Sequence, residues 1–455
     1  MRRHLITGRF GPDDGVEIPA SADEVTTSFD LAASNTWLDH GIGRALDDLA
    51  KLGVFPTEMG LDLLIVAAHV HAADTRIARL TESQDSWTRE IRLVVPVSGA
   101  SVWTAAIPVL ERMLNFLTGD RWSVGFRNRS VRFASAVRRR PLISAGPRFD
   151  ELSLFSGGMD SLIGAIDLLE NNKVPLLISH AGEGATSSAQ SNLFEGLKKH
   201  YTGVPFDRLR IWMNFDKGFV ANSGSEDTTR GRSFLFIASG AFAGTGLVGP
   251  FTLRVPENGL IALNVPLDPL RLGSLSTRTT HPFYMARWND LFAALGMDVR
   301  VDNPYWDKTK GEMVTECANR PLLATLLPES LSCSSPTKAR WKGHATEHCG
   351  YCLPCLIRRA AIRKGLGTDD NTPYTVSNLA ANVLDTRKAE GQQVRSFQFA
   401  IARLQRQPEL ASILIHKPGP LSDQTDDQKK SLAEVYRRGL DEVAALLANV
   451  QTKPR

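Results

Sequence analysis

Leu152–Leu169 reads LSLFSGGMDSLIGAIDLL. An apolar run enters this stretch and a helix-forming run leaves it. The polar hexad Ser156-Gly157-Gly158-Met159-Asp160-Ser161 is therefore predicted to be a strand–loop–helix junction. Glycines let a backbone turn tightly and approach a ligand closely. The free N–H groups and the dipole at a helix start attract an anion. Ser156 and Ser161 can donate hydroxyl hydrogen bonds to phosphate oxygens. Asp160 is acidic beside an anion site, which makes chemical sense if Mg2+ bridges it to phosphate. The loop is not of the Walker type, because no Gly-Lys-Ser/Thr follows the glycines. The alternative reading is a plain polar turn in which Asp160 or Ser161 caps the helix.

Working outward, strand and helix patterns alternate from 150 to 365. Strands are expected at Leu152–Ser156, Pro175–His180, Arg208–Met213, Leu260–Asn264 and Asp298–Val301. Helices are expected at Asp160–Glu170, Ser187–Tyr201, Arg232–Phe242 and Phe283–Leu295. That alternation implies an α/β fold with a doubly wound, mainly parallel sheet, whose ligands sit beyond the carboxyl ends of the strands. Residues 1–148 read as an α+β extension suited to docking a partner or simply to packing. Its helices are predicted at Gly43–Leu52, Thr57–Leu80 and Trp103–Leu117, its strands at Ile91–Val97 and Arg121–Phe126. A boundary is placed in RRRPLISAGPRFD, Arg138–Asp150, with the α/β domain spanning 149–365. Residues 366–455 read as a helical tail, with helices at Ser377–Leu384, Val394–Arg406 and Gln428–Leu447 and a loop at Pro418–Gln428.

The chain has 455 residues, 53 Lys plus Arg against 49 Asp plus Glu, and a net charge of +4, which does not demand a nucleic-acid partner. The start, MRRHLITGRF, carries no long apolar run behind its arginines, so no signal peptide and a cytoplasmic protein are expected. Ser233–Leu253 is uncharged and long enough to span a bilayer. Its glycines and Pro250 instead suggest a buried helix followed by a buried parallel strand, so no membrane partner is expected.

Four of the five cysteines, Cys333, Cys349, Cys352 and Cys355, follow the pattern C-x15-C-x2-C-x2-C. Four thiolates so spaced suit a closed tetrahedral Zn2+ site, a zinc knuckle; an iron–sulfur cluster is the rival. Cys317 stands apart and reads as a small core residue.

SGGMDS resembles the PP-loop of the N-type ATP pyrophosphatases, whose pattern is S-G-G-x-D-S. That family cleaves ATP to AMP and pyrophosphate while adenylating an oxygen. Together with Cys333, the run Cys349-Gly350-Tyr351-Cys352-Leu353-Pro354-Cys355 and Arg358, the loop resembles the QueC family over roughly 150–365. QueC enzymes turn 7-carboxy-7-deazaguanine into 7-cyano-7-deazaguanine in two ATP-dependent steps through an amide. This chain is about twice as long, and the QueC substrate segment is replaced by Glu257–Arg271 and Ser276–Pro282. The long form is similar to QueC-like proteins of bacterial anti-phage gene clusters. The resemblance implies an ATP-dependent ligase or synthetase, with ATP, Mg2+ and Zn2+ as cofactors. Its acid would be a small-molecule deazapurine, and its partners the proteins of a defence gene cluster. The acceptor would be an amine, a partner protein's among the candidates.

On that reading ATP lies on Ser156, Gly157, Gly158, Asp160 and Ser161, against the backbone of Ser179 and His180. Asp160, Ser161, Arg232 and Lys310 are the catalytic candidates, and Glu257, Asn258, Arg278 and Thr279 the substrate-binding ones. Guanidinium suits both phosphate and carboxylate, yet Arg232, Arg278 and Lys310 also have the plain reading of surface ion pairs. Pro256–Gly259 also reads as a turn, and Ser276–Thr280 as a helix cap. The rival functions are 7-cyano-7-deazaguanine synthesis itself, tRNA modification, and ATP sensing without catalysis.

Overall fold

The computed structural model describes residues 2–454 apart from 12, 33–36, 84, 130–132, 134–148, 183, 221–222, 227, 248, 269–277, 335, 338–342, 344–345 and 368–370. The boundary placed at Arg138–Asp150 lies almost wholly outside the described residues, as do Ser276 and Thr277.

In chain order the strands are β1 (Arg3–Arg9), β2 (Glu24–Asp30), β3 (Glu90–Val97), β4 (Arg121–Asn128), β5 (Glu151–Leu154), β6 (Pro175–His180), β7 (Asp207–Ile211), β8 (Phe251–Arg254), β9 (Val299–Asp302), β10 (Leu384–Asp385) and β11 (Thr452–Lys453). The helices are α1 (Ile42–Lys51), α2 (Glu58–Arg76), α3 (Arg79–Glu82), α4 (Ala100–Thr118), α5 (Met159–Glu170), α6 (Gly184–His200), α7 (Arg232–Gly244), α8 (Gly259–Leu263), α9 (Pro282–Ala294), α10 (Lys310–Glu316), α11 (Arg320–Leu326), α12 (Leu353–Leu366), α13 (Ala389–Arg406), α14 (Leu410–Leu414) and α15 (Asp426–Leu447).

The central sheet runs β7-β6-β5-β8-β9, and every pairing in it is parallel. Strand order reverses between β5 and β8, which pair through Leu152↔Leu253 and Ser153↔Arg254. Helices cover both faces, as a sheet this apolar requires. Leu177 and Phe155 face α5 and α6, while Leu152, Leu154, Leu176 and Ile178 face α7 and α9.

The N-terminal region departs from the expected α+β extension. Its sheet, β2-β1-β3-β4, is entirely parallel. The sequence reading missed β1 and β2, and without them the crossovers that make the region α/β were invisible. Its apolar face does not close on itself. Leu64, Trp103 and Leu110 share one continuous core with Phe234, Trp288 and the α7–α9 face of the central sheet.

Two further expectations fail. Leu260–Asn264 is not a strand but the short helix α8. Asn258 caps it by accepting from the Ile261 N–H, and Asn264 ends it in the left-handed region at φ 50°. Caps at both ends override the apolar run. Ser377–Leu384 is not a helix. The backbone just before it is bonded elsewhere: Thr375 and Val376 donate to the carbonyls of His348 and Cys349, and Arg359 binds the carbonyls of Val376 and Ser377. Ser233–Leu253 does resolve into a helix and a strand, α7 and β8. No helix among the described residues is long and apolar enough to cross a membrane.

Candidate functional site

The glycine loop leaves the carboxyl end of β5 beside the reversal of strand order, the place where open parallel sheets bind ligands. Gly157 turns the chain at φ +85°, and a Cβ there would stand 3.1 Å from the Gln190 backbone nitrogen, so only glycine fits without strain. Gly158 starts α5 and, having no side chain, gives it no cap, while its own N–H donates to the Ser156 hydroxyl at 3.4 Å. Ser161 donates its hydroxyl to the Gly158 carbonyl at 3.0 Å and meets the Ser156 hydroxyl at 3.2 Å, so the two serines brace the loop from inside.

Two contacts were not anticipated. The Leu331 N–H donates to the Gly157 carbonyl at 2.8 Å, and the Met159 N–H reaches the Ser332 hydroxyl at 3.3 Å. The strap before Cys333 therefore lies directly on the loop. Nothing in the spacing of the sequence marks such a contact, because it spans more than 170 residues (332 minus 159 is 173).

Asp160 points into a buried polar cluster. Its Oδ1 lies 2.9 Å from Lys310 Nζ, and its Oδ2 accepts from the Asn258 N–H at 3.1 Å and from Asn258 Nδ2 at 2.7 Å. Burial pushes its carboxyl up, but Lys310 and the hydrogen bonds of Glu257 and Asn258 outweigh this and hold it below the ordinary carboxylate value. Glu257 sits against Asp160 and Asn258, and burial and then the Asp160 charge hold its carboxyl well above the usual range. The structure thus brings Asp160, Glu257, Asn258 and Lys310 together at the loop. Lys310 begins α10, whose capping box is made by Thr309 and Glu312.

The Ser179 hydroxyl is committed to the Phe155 carbonyl at 2.8 Å, and the His180 carbonyl accepts from Gln190 Nε2 at 3.2 Å. The His180 ring meets His71 of α2 edge-on at 5.4 Å. Burial and then nearby Arg232 hold His180 down at about 4. Arg232 opens α7, whose Gly231 N–H donates to Asp74 of α2 at 2.7 Å, so the N-terminal region fixes that helix start. Arg278 turns toward α4 instead: it donates to the Phe116 carbonyl at 2.8 Å and lies over the Phe116 ring at 4.6 Å. A cation in the last turn of a helix complements its dipole. Thr279 is half-buried beside it. His281 caps α9 by accepting from the Phe283 N–H.

The four cysteine sulfurs lie within 4.8 Å of one another, with Cys333–Cys352 and Cys349–Cys355 each at 3.9 Å. Metal–sulfur bonds of about 2.3 Å in a tetrahedron place sulfurs about 3.8 Å apart. The cage therefore fits a single metal ion such as zinc and is too tight for a multi-iron cluster. Backbone amides of Cys349 and Cys352 donate to the sulfurs of Cys333 and Cys349, the support thiolate ligands need. His348 is not a ligand, since its Nε2 accepts from the Ser332 N–H at 3.1 Å. Arg358, fully buried, ties the strap to α12 by donating to the Ser330 hydroxyl at 2.6 Å and the Leu327 carbonyl at 2.7 Å. Cys317 is a buried core residue, and burial pushes its thiol up to about 12.

Compared with family models, curated proteins and solved structures, the chain matches none.

Proposed function

We propose that this chain is a QueC-like, PP-loop, ATP-dependent ligase that adenylates a carboxylate, 7-carboxy-7-deazaguanine or a close relative, for transfer to an amine. The observation that carries the reading is the loop's setting. SGGMDS turns into a helix at the carboxyl end of the strand beside the order reversal, with Asp160, Lys310, Glu257 and Asn258 closed around its first turn. The four-sulfur cage downstream adds the second half of the QueC-like pair of motifs.

The chemistry balances simply. A carboxylate oxygen attacks the α-phosphorus, the bond from that phosphorus to the α,β-bridging oxygen breaks, and pyrophosphate leaves with the bonding electrons. An amine then attacks the acyl carbon, AMP leaves with the bonding electrons, and the amine's surplus proton passes to solvent. Amides at the start of α5 bind the phosphates, with the Ser156 and Ser161 hydroxyls between them. Lys310 balances charge at Asp160, and Arg232 serves the phosphates or the carboxylate from the α7 start. Ser179 and His180 back the nucleotide, and Glu257 presents a hydrogen-bonding edge to a purine-like acid while Asn258, its side chain taken up by Asp160, Glu257 and the Ile261 N–H, holds that segment in place. Asp160 and Glu257 offer the oxygen ligands that Mg2+ takes, with Asp160 Oδ1 also held by Lys310 Nζ at 2.9 Å. Bound there, Mg2+ would neutralise phosphate charge. By resemblance, the setting is bacterial anti-phage defence beside partner proteins, as for QatC of the Qat system.

Incubating the protein with Mg-ATP, 7-carboxy-7-deazaguanine and ammonia or partner proteins tests this. AMP, pyrophosphate and an amide-sized mass shift are expected, and Asp160→Ala should abolish all three. AMP with no modified product sinks the ligase; no AMP, with wild type matching Asp160→Ala, leaves a nucleotide sensor.

A further inference from the structure

The helix α15 packs behind both segments that hold Asp160. At one end of the contact, its Val435 and Gly439 lie against Gly259 and Leu260, directly after the Asn258 that donates twice to Asp160. Within the next turn, Glu442 of the same helix reaches the start of α10, from which Lys310 reaches Asp160.

Glu442 is 8% exposed, unusual for a carboxylate, and every contact it makes is directed. Its Oε2 accepts from the Gly311 N–H at 3.1 Å, and its Oε1 accepts from the Thr309 hydroxyl and lies 2.9 Å from Lys364 Nζ. Thr309, Lys310 and Gly311 are consecutive, so the carboxylate holds the residue on each side of Lys310. The site is built for it: a Cβ on Gly311 would stand 2.7 Å from the carboxylate, so Glu442 needs glycine there. A negative group at the first turn of a helix also complements its dipole.

We propose that Glu442 is a positioning residue of the loop site, holding the first turn of α10 so that Lys310 stays on Asp160. This rests on the ATP-dependent activity proposed above and gives the C-terminal region a role in it. Glu442 touches neither nucleotide nor acid. Its loss changes where Lys310 stands rather than what binds.

The test is a double-mutant cycle on the full-length, metal-loaded protein, read as pyrophosphate release with both kcat and KM for ATP. Glu442→Ala is expected to lower kcat about tenfold with KM within about twofold. Glu442→Gln, which keeps the shape and loses the charge, should fall between it and wild type. Lys310→Met should lower kcat further, and adding Glu442→Ala to Lys310→Met should cost nothing more. A general structural role would instead multiply the two losses and lower the fraction of folded protein in both backgrounds. Multiplying losses, or an unchanged kcat in Glu442→Ala, overturns the inference alone. A wild type that releases no pyrophosphate overturns the proposed function and this inference with it.

Discussion

Lys310→Met keeps the apolar stem of the side chain and deletes its charge. Lys310 and Asp160 are each 6% exposed and their charged atoms stand 2.9 Å apart. Without the ammonium, Asp160 stays in a site that water scarcely reaches, with Glu257 beside it. Breaking one side of a buried pair costs about 3–5 kcal/mol. The two Asn258 hydrogen bonds persist, so the low end, about 3 kcal/mol, is expected at pH 7. The pH dependence follows from Asp160. Its carboxyl is depressed in the wild type, so the stability it contributes is present above its unfolded value and is lost only as pH falls through the lower folded one. In the variant, burial acts unopposed by Lys310 and the carboxyl rises. As pH falls, the variant relieves its unpaired charge by taking a proton while the wild type keeps its ion pair. The gap between the proteins therefore closes, by up to about 1.4 kcal/mol per pH unit in that range. Urea unfolding followed by circular dichroism at pH 7 and pH 5 measures it. A difference under about 0.5 kcal/mol, or one equal at both pH values, refutes the charge-pair account.

The cysteine cage predicts one equivalent of a single metal ion, zinc foremost, on elemental analysis of the purified protein, and loss of that ion with a lower unfolding temperature in Cys355→Ser; several irons per chain would contradict the sulfur spacing. Burial holds His69 and His180 down at about 4 and His281 at about 3, so each contributes stability that is present above its unfolded value near 6.5 and drains as pH falls toward those folded values. The unfolding free energy from urea titration should drop steadily between pH 6.5 and 4, by up to about 1.4 kcal/mol per unit for each histidine, and a flat profile there would show that they titrate freely.

The loop and the cage were legible because both depend on local spacing. Gly157 needs its left-handed turn, and the cysteines after Cys349 need only a short ladder and one tight turn at Gly350. Asn258 was legible as a residue but not as a cap, so its segment was read from apolar content and given to a strand. The strands β1 and β2 escaped because RHLITGR and EVTTSFD are short and mix charge with their β-branched residues. Their pairing rests on partners far along the chain, as with Arg3↔Glu90. The pairing of Asp160 with Lys310, and of Met159 with Ser332, spans 150 residues or more (310 minus 160 is 150), where periodicity carries no information. Arg278 was chosen for the chemistry of guanidinium alone, and chemistry without placement did not reveal that it caps α4.

The regions flanking 149–365 act on the site through the same kind of contact. Asp74 of the N-terminal region binds the Gly231 N–H and so fixes the start of α7 and Arg232. Glu442 of the C-terminal region binds the Gly311 N–H and so fixes the start of α10 and Lys310. In each case a buried carboxylate from outside holds the amino end of a helix that presents a cation near the carboxyl ends of the central strands. A helix start left with unpaired amides frays, and a cation on it then samples many positions. Catalysis by positioning loses about a factor of 100 when a group moves by as little as ~1 Å. The flanking regions are therefore bound to the site by geometry as well as by the shared core of Leu64, Trp103, Phe234 and Trp288. A chain cut to 149–365 would bare that core and release both helix starts together.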